Sequence, residues 1–432
     1  VKRLAPWASV ALAAFLAAPA FAETIAFTGG TVAIGDGSQP IPNGTVVVKD
    51  GRVVAAGAGV AVPAGARVVD ATGKWVSPGL VAGTSTLGLA DVEGVSESND
   101  LSTKGTPFSA AIDISTSINP VSARLGVERA KGMTRAVVVP EAGNTMFGGQ
   151  GAVIDLGADP DPVTKARAFQ FVEFGETAMK HGGGSRPAAQ ALLRAALAAA
   201  RNPALAGTLA RDVLVTRADA EALVPVIEGR MPLLVHAERA SDILSALALT
   251  REFPKLRLVL LGATEGWTVA DRIAAAHVPV IAAAYADLPE QFEMIASTQS
   301  NVGRMAKAGV MVAISSIDAG EESYESYLKQ FAGNLVALTK VDGATGLDWG
   351  QAFATITSRP AQALGLDGEI GSLRPGRKAD VVLWDGDPLE VASAAVAVWI
   401  DGVQQPAGSR QTRLRNRYAN PVEGALPKAY DR

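Results

Sequence analysis

Cysteine is missing altogether from the 432 residues, histidine occurs three times, and aromatic side chains make up only 5%. The first absence excludes a disulfide framework and any anchor through a lipid-modified cysteine. The second leaves so few imidazoles that His181, His236 and His277 would all be needed for a metal site drawing histidines from several strands. Charge is sparse as well: 19% of residues are charged and the net charge is −4. That small acidic balance, with no basic stripe, argues against nucleic acid as the main partner. No short-period repeat or sustained heptad run is present, so a solenoid or coiled coil is excluded. What is abundant is apolar: 48% of the chain, much of it Ala, Val and Leu, suits a large α/β core rather than a disordered chain. The length predicts one large unit with a smaller module, or two domains.

At the N-terminus, Lys2 and Arg3 precede an apolar run from Leu4 to Ala18, and Ala20-Phe21-Ala22 fits a small-residue cleavage site. This is a signal-peptide pattern, with residues 1–22 removed and a mature periplasmic chain starting at Glu23. The run is too short for a comfortable membrane span and polar sequence follows at once, so no stable insertion is expected after cleavage.

From Thr24 to Val76 short apolar segments alternate with Gly, Pro and Asn, the signature of strands and tight turns. Lys49-Asp50-Gly51-Arg52 reads as a hairpin with Asp-Gly at its tip. These strands are too few to bury much core alone. Partners are offered at the other end, where Ala379–Trp384 and Ala395–Ile400 are again extended. Between the flanks, apolar runs alternate with Ala-rich amphipathic stretches, the pattern of a parallel barrel wrapped by helices. Strands are predicted at Arg135–Val139, Asp212–Thr216, Pro232–His236, Leu256–Leu261, Val278–Ala282 and Val310–Ser315. Helices are predicted at Pro187–Ala200, Ser241–Glu252, Thr268–Ala276 and Asp348–Ser358. The glycine-rich FGGQG of Phe147–Gly151 reads as a turn, because the strand-like AVIDLG follows it rather than the helix an anion cradle needs. The loop Lys180–Arg186 is positioned to cover the barrel mouth, with Lys180 and Arg186 available to a carboxylate.

Several segments carry a family resemblance: PGLVAGTSTLGL from Pro78, AVVVPEAGNTMFGGQGAVIDL, VHAERASDILSALAL, LGATEGWTVADRIAAAHVPVI, and TSRPAQALGLDGEIGSLRPGRKADVVLWDGDPL. Together they resemble the amidohydrolase superfamily, and within it a group of exported, imidazolonepropionase-like amidohydrolases. The resemblance implies a (β/α)8 TIM-like barrel at residues 78–368, with a composite β-sandwich built from residues 23–77 and 369–432. It also implies hydrolysis of C–N bonds in small cyclic or acyl-amino compounds, with a divalent metal such as zinc polarising the carbonyl and activating water.

Ligand by ligand, the resemblance implies a depleted centre. Thr84 and Thr86 stand where a first-strand His-x-His pair belongs, and a neutral hydroxyl is a poor zinc ligand beside imidazole. His236 matches the fifth-strand histidine. Glu238 stands where a further histidine is common, Gly262 where the sixth-strand histidine belongs, and Asp318 or Ile317 at the eighth-strand aspartate. His181 reads as a solvated loop residue, and His277 as a turn residue at the opposite barrel end.

The polar set at the predicted strand ends is Glu141, Arg217, His236, Glu238, Glu265, Ser316 and Asp318. Three readings follow. His236, Glu238 and Asp318 form a mononuclear metal site; or Glu238 or Asp318 works with His236 as a metal-free acid–base pair; or these groups bond one another in a sealed or ligand-binding mouth. Glu141, Arg217 and Glu265 are the candidate substrate-binding residues. The function classes are a divergent hydrolase with one metal or none, and a non-catalytic homologue that binds a small molecule or supports an active relative, as a homo-oligomer or hetero-oligomer.

Overall fold

The computed structural model describes residues 23–92, 95–103, 105–206, 215–283, 286–316 and 325–419. The expected signal segment 1–22, the candidates Asp318 and Ile317, and most of the strand expected at 212–216 lie outside these residues. No described helix is long and apolar enough to cross a membrane.

The described residues open with β1 (Thr24–Val32), β2 (Ile41–Lys49) and β3 (Arg52–Gly57), paired antiparallel in sequence order. Asp50 and Gly51 turn the β2–β3 hairpin with φ of 54° and 71°, the left-handed pair that a two-residue hairpin of this twist requires. β4 (Arg67–Asp70) and β5 (Trp75–Pro78) then run parallel to successive parts of β1.

The barrel sheet follows: β6 (Leu80–Ser85), β7 (Met133–Val138), β8 (Phe147–Asp155), β9 (Val163–Glu173), β10 (Leu233–Ala237), β11 (Leu258–Gly262), β12 (Val280–Ala283) and β13 (Val312–Ser315). They hydrogen-bond in chain order. All neighbours are parallel except β8, which runs against both β7 and β9. FGGQG therefore belongs to a strand and not to a turn. Its glycines are there for close packing: a Cβ on Gly151 would enter the Phe169 ring, and one on Gly149 would lie 2.7 Å from the Ile112 carbonyl oxygen. Between the two end strands the chain at 355–356 acts as a bridge, with Val81 donating to the Ile356 carbonyl (2.9 Å) and Ile314 to that of Thr355 (3.1 Å).

Alternation sorts the barrel residues. Val137, Phe169, Phe171, Leu234, Val259, Leu261, Ile281 and Ala313 pack together as the interior. Their neighbours of opposite parity, such as Ala136, Leu233, Val235 and Leu260, join the larger core beneath the outer helices. Among those helices are Arg186–Ala199, Arg217–Ile227 and Ala240–Glu252. The helix expected over Asp348–Ser358 is split into Trp349–Ala354 and Ser358–Ala363, because Thr357 adopts φ −131° and ψ −88°.

The C-terminal flank supplies β14 (Val381–Trp384), β15 (Ala395–Ile400) and β16 (Val403–Gln404). β14 pairs antiparallel with β5, Val382 facing Ser77, so both ends of the chain share one eight-stranded sheet. Trp384 is fully buried there and donates to Ser77 Oγ at 2.9 Å. Arg135 of β7 ties this sheet to the barrel. Its guanidinium meets Asp380 (2.7 Å), Asp401 (2.6 Å) and Asp155 (3.5 Å). Burial alone would weaken its charge, yet these carboxylates push its pKa above the ordinary arginine value.

Candidate functional site

Parallel pairing sets Glu173, the last residue of β9, directly opposite His236 of β10. Both continue the inward-facing rows, Phe169-Phe171-Glu173 and Leu234-His236, and so point into the barrel at the C-terminal ends of its strands. His236 Nδ1 bonds to Glu173 Oε2 at 2.8 Å, and Nε2 bonds to Glu238 Oε1 at 2.8 Å. The other oxygen of Glu238 accepts the backbone N–H of Thr264 at 2.7 Å. The result is a linear chain, carboxylate to imidazole to carboxylate, ending on a backbone amide.

Burial alone would favour a neutral imidazole; the charge and hydrogen bond of Glu173, then those of Glu238, outweigh it and hold the His236 pKa well above its ordinary range. Burial likewise works against the Glu238 carboxylate, and the hydrogen bond and charge of His236 overcome it, keeping Glu238 below the usual carboxylate range. The balance favours the imidazolium form, with each ring nitrogen within hydrogen-bond distance of a carboxylate oxygen. The side chains of His236 and Glu173 each remain 15% exposed, while that of Glu238 is 1% exposed.

Gly262, at the end of β11, makes this arrangement possible. Its φ is +82°, and a Cβ there would overlap Glu238 Oε1 and lie 2.6 Å from Glu238 Cδ. The carboxylate occupies the space a side chain at 262 would need.

A second acidic element closes in from the segment after β12. Glu293 accepts the N–H of Glu176 at 2.7 Å and meets Arg186 Nη2 at 3.2 Å, while Arg186 Nε donates to Asp242 at 2.8 Å. Burial raises the Glu293 pKa. Arg186 is thus committed to neighbouring carboxylates. Among the described residues of this network, the carboxylates Glu173, Glu176, Glu238, Asp242 and Glu293 outnumber the basic His236 and Arg186, which makes the described lining acidic.

The remaining candidates fall elsewhere. Glu265 is a brace: its two oxygens accept the N–H groups of Ala240 (2.9 Å) and Ala296 (3.1 Å). Arg217 is corrected outright, since it opens an outer helix, is 69% exposed and pairs with Glu221 at 2.8 Å. Thr216 and Asp219 form a reciprocal capping box there, so Thr216 starts a helix and does not end a strand. Glu141 lies exposed beyond β7, its backbone N–H bonded to the Leu101 carbonyl. Thr84 is buried in β6; the preceding Gly83 is the residue facing Ile281 across the barrel. Thr86 accepts from Arg124 at 3.2 Å, and Ser85, between the two threonines, donates to Glu325 at 2.6 Å. Ser316 follows β13 immediately. His181 ends a short helix, and His277 sits exposed with φ 51° ahead of β12, at the opposite barrel end. Among the described residues, no group of three or more His, Cys, Asp or Glu is disposed to hold a metal ion.

Glu173 and Glu293 are the residues that sequence reasoning missed. The alternation in AFQFVE marks a strand ending on a carboxylate, but only the ladder register reveals that it faces His236.

The chain thus combines an eight-stranded barrel sheet, polar at its strand ends, with a second sheet to which the segments on both sides of the barrel contribute. The family model "Amidohydrolase family" matches residues 260–405. Amidohydrolase tasK of Hapsidospora irregularis is 25% identical over 388 residues, covering 80% of this chain and 38% of that protein. Imidazolonepropionase of Maricaulis maris (strain MCS10) is 32% identical over 163 residues, covering 37% of each. The chain thus spans well under half the length of either relative. An amidohydrolase from Thermotoga maritima MSB8 superposes with a TM-score of 0.76 at 26% identity, covering 88% of this chain and 99% of that one. The chain belongs to the amidohydrolase superfamily.

Proposed function

We propose that this chain is a metal-independent member of the superfamily whose barrel mouth binds a small amine-bearing or cationic molecule, organised by Glu173, His236 and Glu238. The observation that carries the reading is that both nitrogens of His236 are committed to carboxylates. Zinc takes the lone pair of a neutral imidazole, and a doubly donating imidazolium has none to give. At the positions where the family resemblance expects further ligands, Thr84 and Thr86 offer only neutral hydroxyls and Gly262 offers no side chain, so the donor set does not fit the family's metal centre. The acidic lining supports the choice of ligand, since a positive group would relieve the excess of carboxylates.

A second reading, C–N hydrolysis by acid–base chemistry, is favoured by the exposure of Glu173 and His236. A carboxylate that orients water beside an imidazolium that protonates a leaving nitrogen is the minimum such a reaction needs.

Elemental analysis after gel filtration tests the central claim. Zinc, manganese and cobalt are expected well below one equivalent per chain, and a chelator should leave the melting temperature unchanged. One tightly held metal per chain, lost on His236→Ala, would overturn it. A thermal-shift screen of small amines and cyclic amides, with product analysis on the hits, separates binding from turnover.

A further inference from the structure

The helix Arg410–Ala419, RQTRLRNRYA, carries four arginines and no acidic residue, and not one of its residues is buried. Its start is fixed locally, with Ser409 N–H donating to Thr412 Oγ1 (2.8 Å) and Thr412 N–H donating back to Ser409 Oγ (3.3 Å). Beyond that cap it lies beside the helix Ala123–Ala130 but buries no face of its own. Among the described residues no carboxylate pairs with Arg410, Arg413, Arg415 or Arg417. Arg415 bonds only to Asn416, and Arg417 sits 5.6 Å from the ring of Tyr418. A protein of net charge −4 thus concentrates on a helix about 15 Å long positive charge that no described carboxylate neutralises, a concentration that overall composition conceals.

The pattern around the helix is specific. Leu414 and Tyr418, at i and i+4, form an apolar stripe left 40% and 54% exposed. Arg410, Arg413 and Arg417 line one side of the stripe and Arg415 the other. A ten-residue helix with no buried face is marginal in water, so it gains from a partner that covers this stripe while accepting the arginines. A bilayer surface does both: the apolar pair enters the headgroup boundary while arginine stems lie along it, their guanidiniums level with the phosphates. Clusters of this size on an amphipathic helix recognise anionic lipid. Nucleic acid would use the arginines but leave Leu414 and Tyr418 without a role.

We propose that the helix Arg410–Ala419 is a docking surface for a bilayer containing anionic phospholipid. The test is co-sedimentation of the full chain with phosphatidylcholine vesicles, with and without one quarter phosphatidylglycerol. Because the N-terminal segment carries Lys2 and Arg3 beside its apolar run, its contribution is removed by comparing wild type with the arginine variant, which share that segment. Partition should favour the anionic vesicles, fall in about 0.5 M salt as charges are screened, and drop roughly tenfold in Arg413→Gln/Arg417→Gln. Leu414→Ser/Tyr418→Ser should weaken binding while leaving its salt dependence intact. All these positions are exposed, so circular dichroism and melting temperature should match wild type, and the two double variants check one another. Equal partition onto both vesicle types, or anionic binding unmoved by the arginine changes, would overturn the proposal. So would an oligonucleotide gel shift that the arginine variant abolishes while vesicles stay unbound.

Discussion

Gly262→Ala adds one methyl group to the strand end and should disable the polar chain that organises the mouth. Two costs are read from the structure. At φ +82° an alanine sits in the left-handed region, a penalty of about 1–2 kcal/mol. Its Cβ would also lie 2.6 Å from Glu238 Cδ and 3.0 Å from Oε2, so Glu238 must swing away. It then gives up the His236 bond (2.8 Å) and the Thr264 N–H (2.7 Å). Hydrogen bonds to a charged group contribute about 1.5–3 kcal/mol each, part of which solvent restores to the displaced carboxylate. The expected loss is about 3–5 kcal/mol, a large share of ordinary domain stability.

Urea unfolding measures the loss, and an NMR titration of His236 measures its cause. Without the Glu238 contact the imidazole pKa should fall. Glu238→Gln separates the two costs, lowering the His236 pKa with no backbone strain at 262. In Gly262→Ala/Glu238→Ala the steric conflict is gone, so the double variant should be more stable than the sum of the single changes predicts. Gly262→Ala with a wild-type midpoint and an unshifted His236 titration, or strict additivity in the double variant, would refute the reasoning.

Arg135→Met should cost about 3–5 kcal/mol in urea unfolding, because Asp380 is left buried without its partner; a loss below about 1 kcal/mol would mean the ion cluster does not hold sheet to barrel. Ending the chain after Leu366 removes β14 and leaves β5 with an open edge, so the product should aggregate, and a soluble monomer by light scattering would contradict the shared sheet. The pH dependence follows from two shifts of opposite sign. His236 lies above its ordinary 6.5, so its stabilisation is complete below 6.5 and lost as pH rises through the folded-state value. Glu238 lies below its ordinary 4.5, so its share is complete above 4.5 and lost as pH falls through its folded value. Urea midpoints should therefore carry a plateau between those limits, and His236→Gln should remove the alkaline decline.

The framework was legible because apolar runs of strand length, such as Leu256–Leu261 and Val310–Ser315, lie between amphipathic stretches, and because both flanks held strands too few to close a core alone. The β8–β9 hairpin was not. FGGQG carries the composition of a turn, and its role as a strand depends on Phe169 and Ile112 pressing against it, a tertiary fact. Arg217 was misplaced although the signal was present: Thr216-x-x-Asp219 is a helix start in the sequence itself. His236 and Glu238 could be found by position, whereas Glu173 belongs to no motif and acquires its role from the register of β9 against β10. Glu293 is further removed still, reaching Arg186 across more than a hundred residues of chain.

The polar chain at the mouth is held by mutual dependence, which bears on the metal-independent reading proposed above. A glycine at 262 leaves room for the Glu238 carboxylate; Glu173 and that carboxylate together raise the His236 pKa against its burial; and an imidazole in its protonated form presents no lone pair to a cation. No single substitution reverses this. A histidine placed at 262 would collide with Glu238, while removing Glu238 alone leaves His236 bonded to Glu173 at 2.8 Å. On that reading, building a ligand set here would take coordinated change on β9, β10 and β11, and each intermediate would leave a carboxylate or an imidazolium without its counter-charge in a confined site. That uncompensated charge is costly, so the arrangement resists stepwise change one residue at a time.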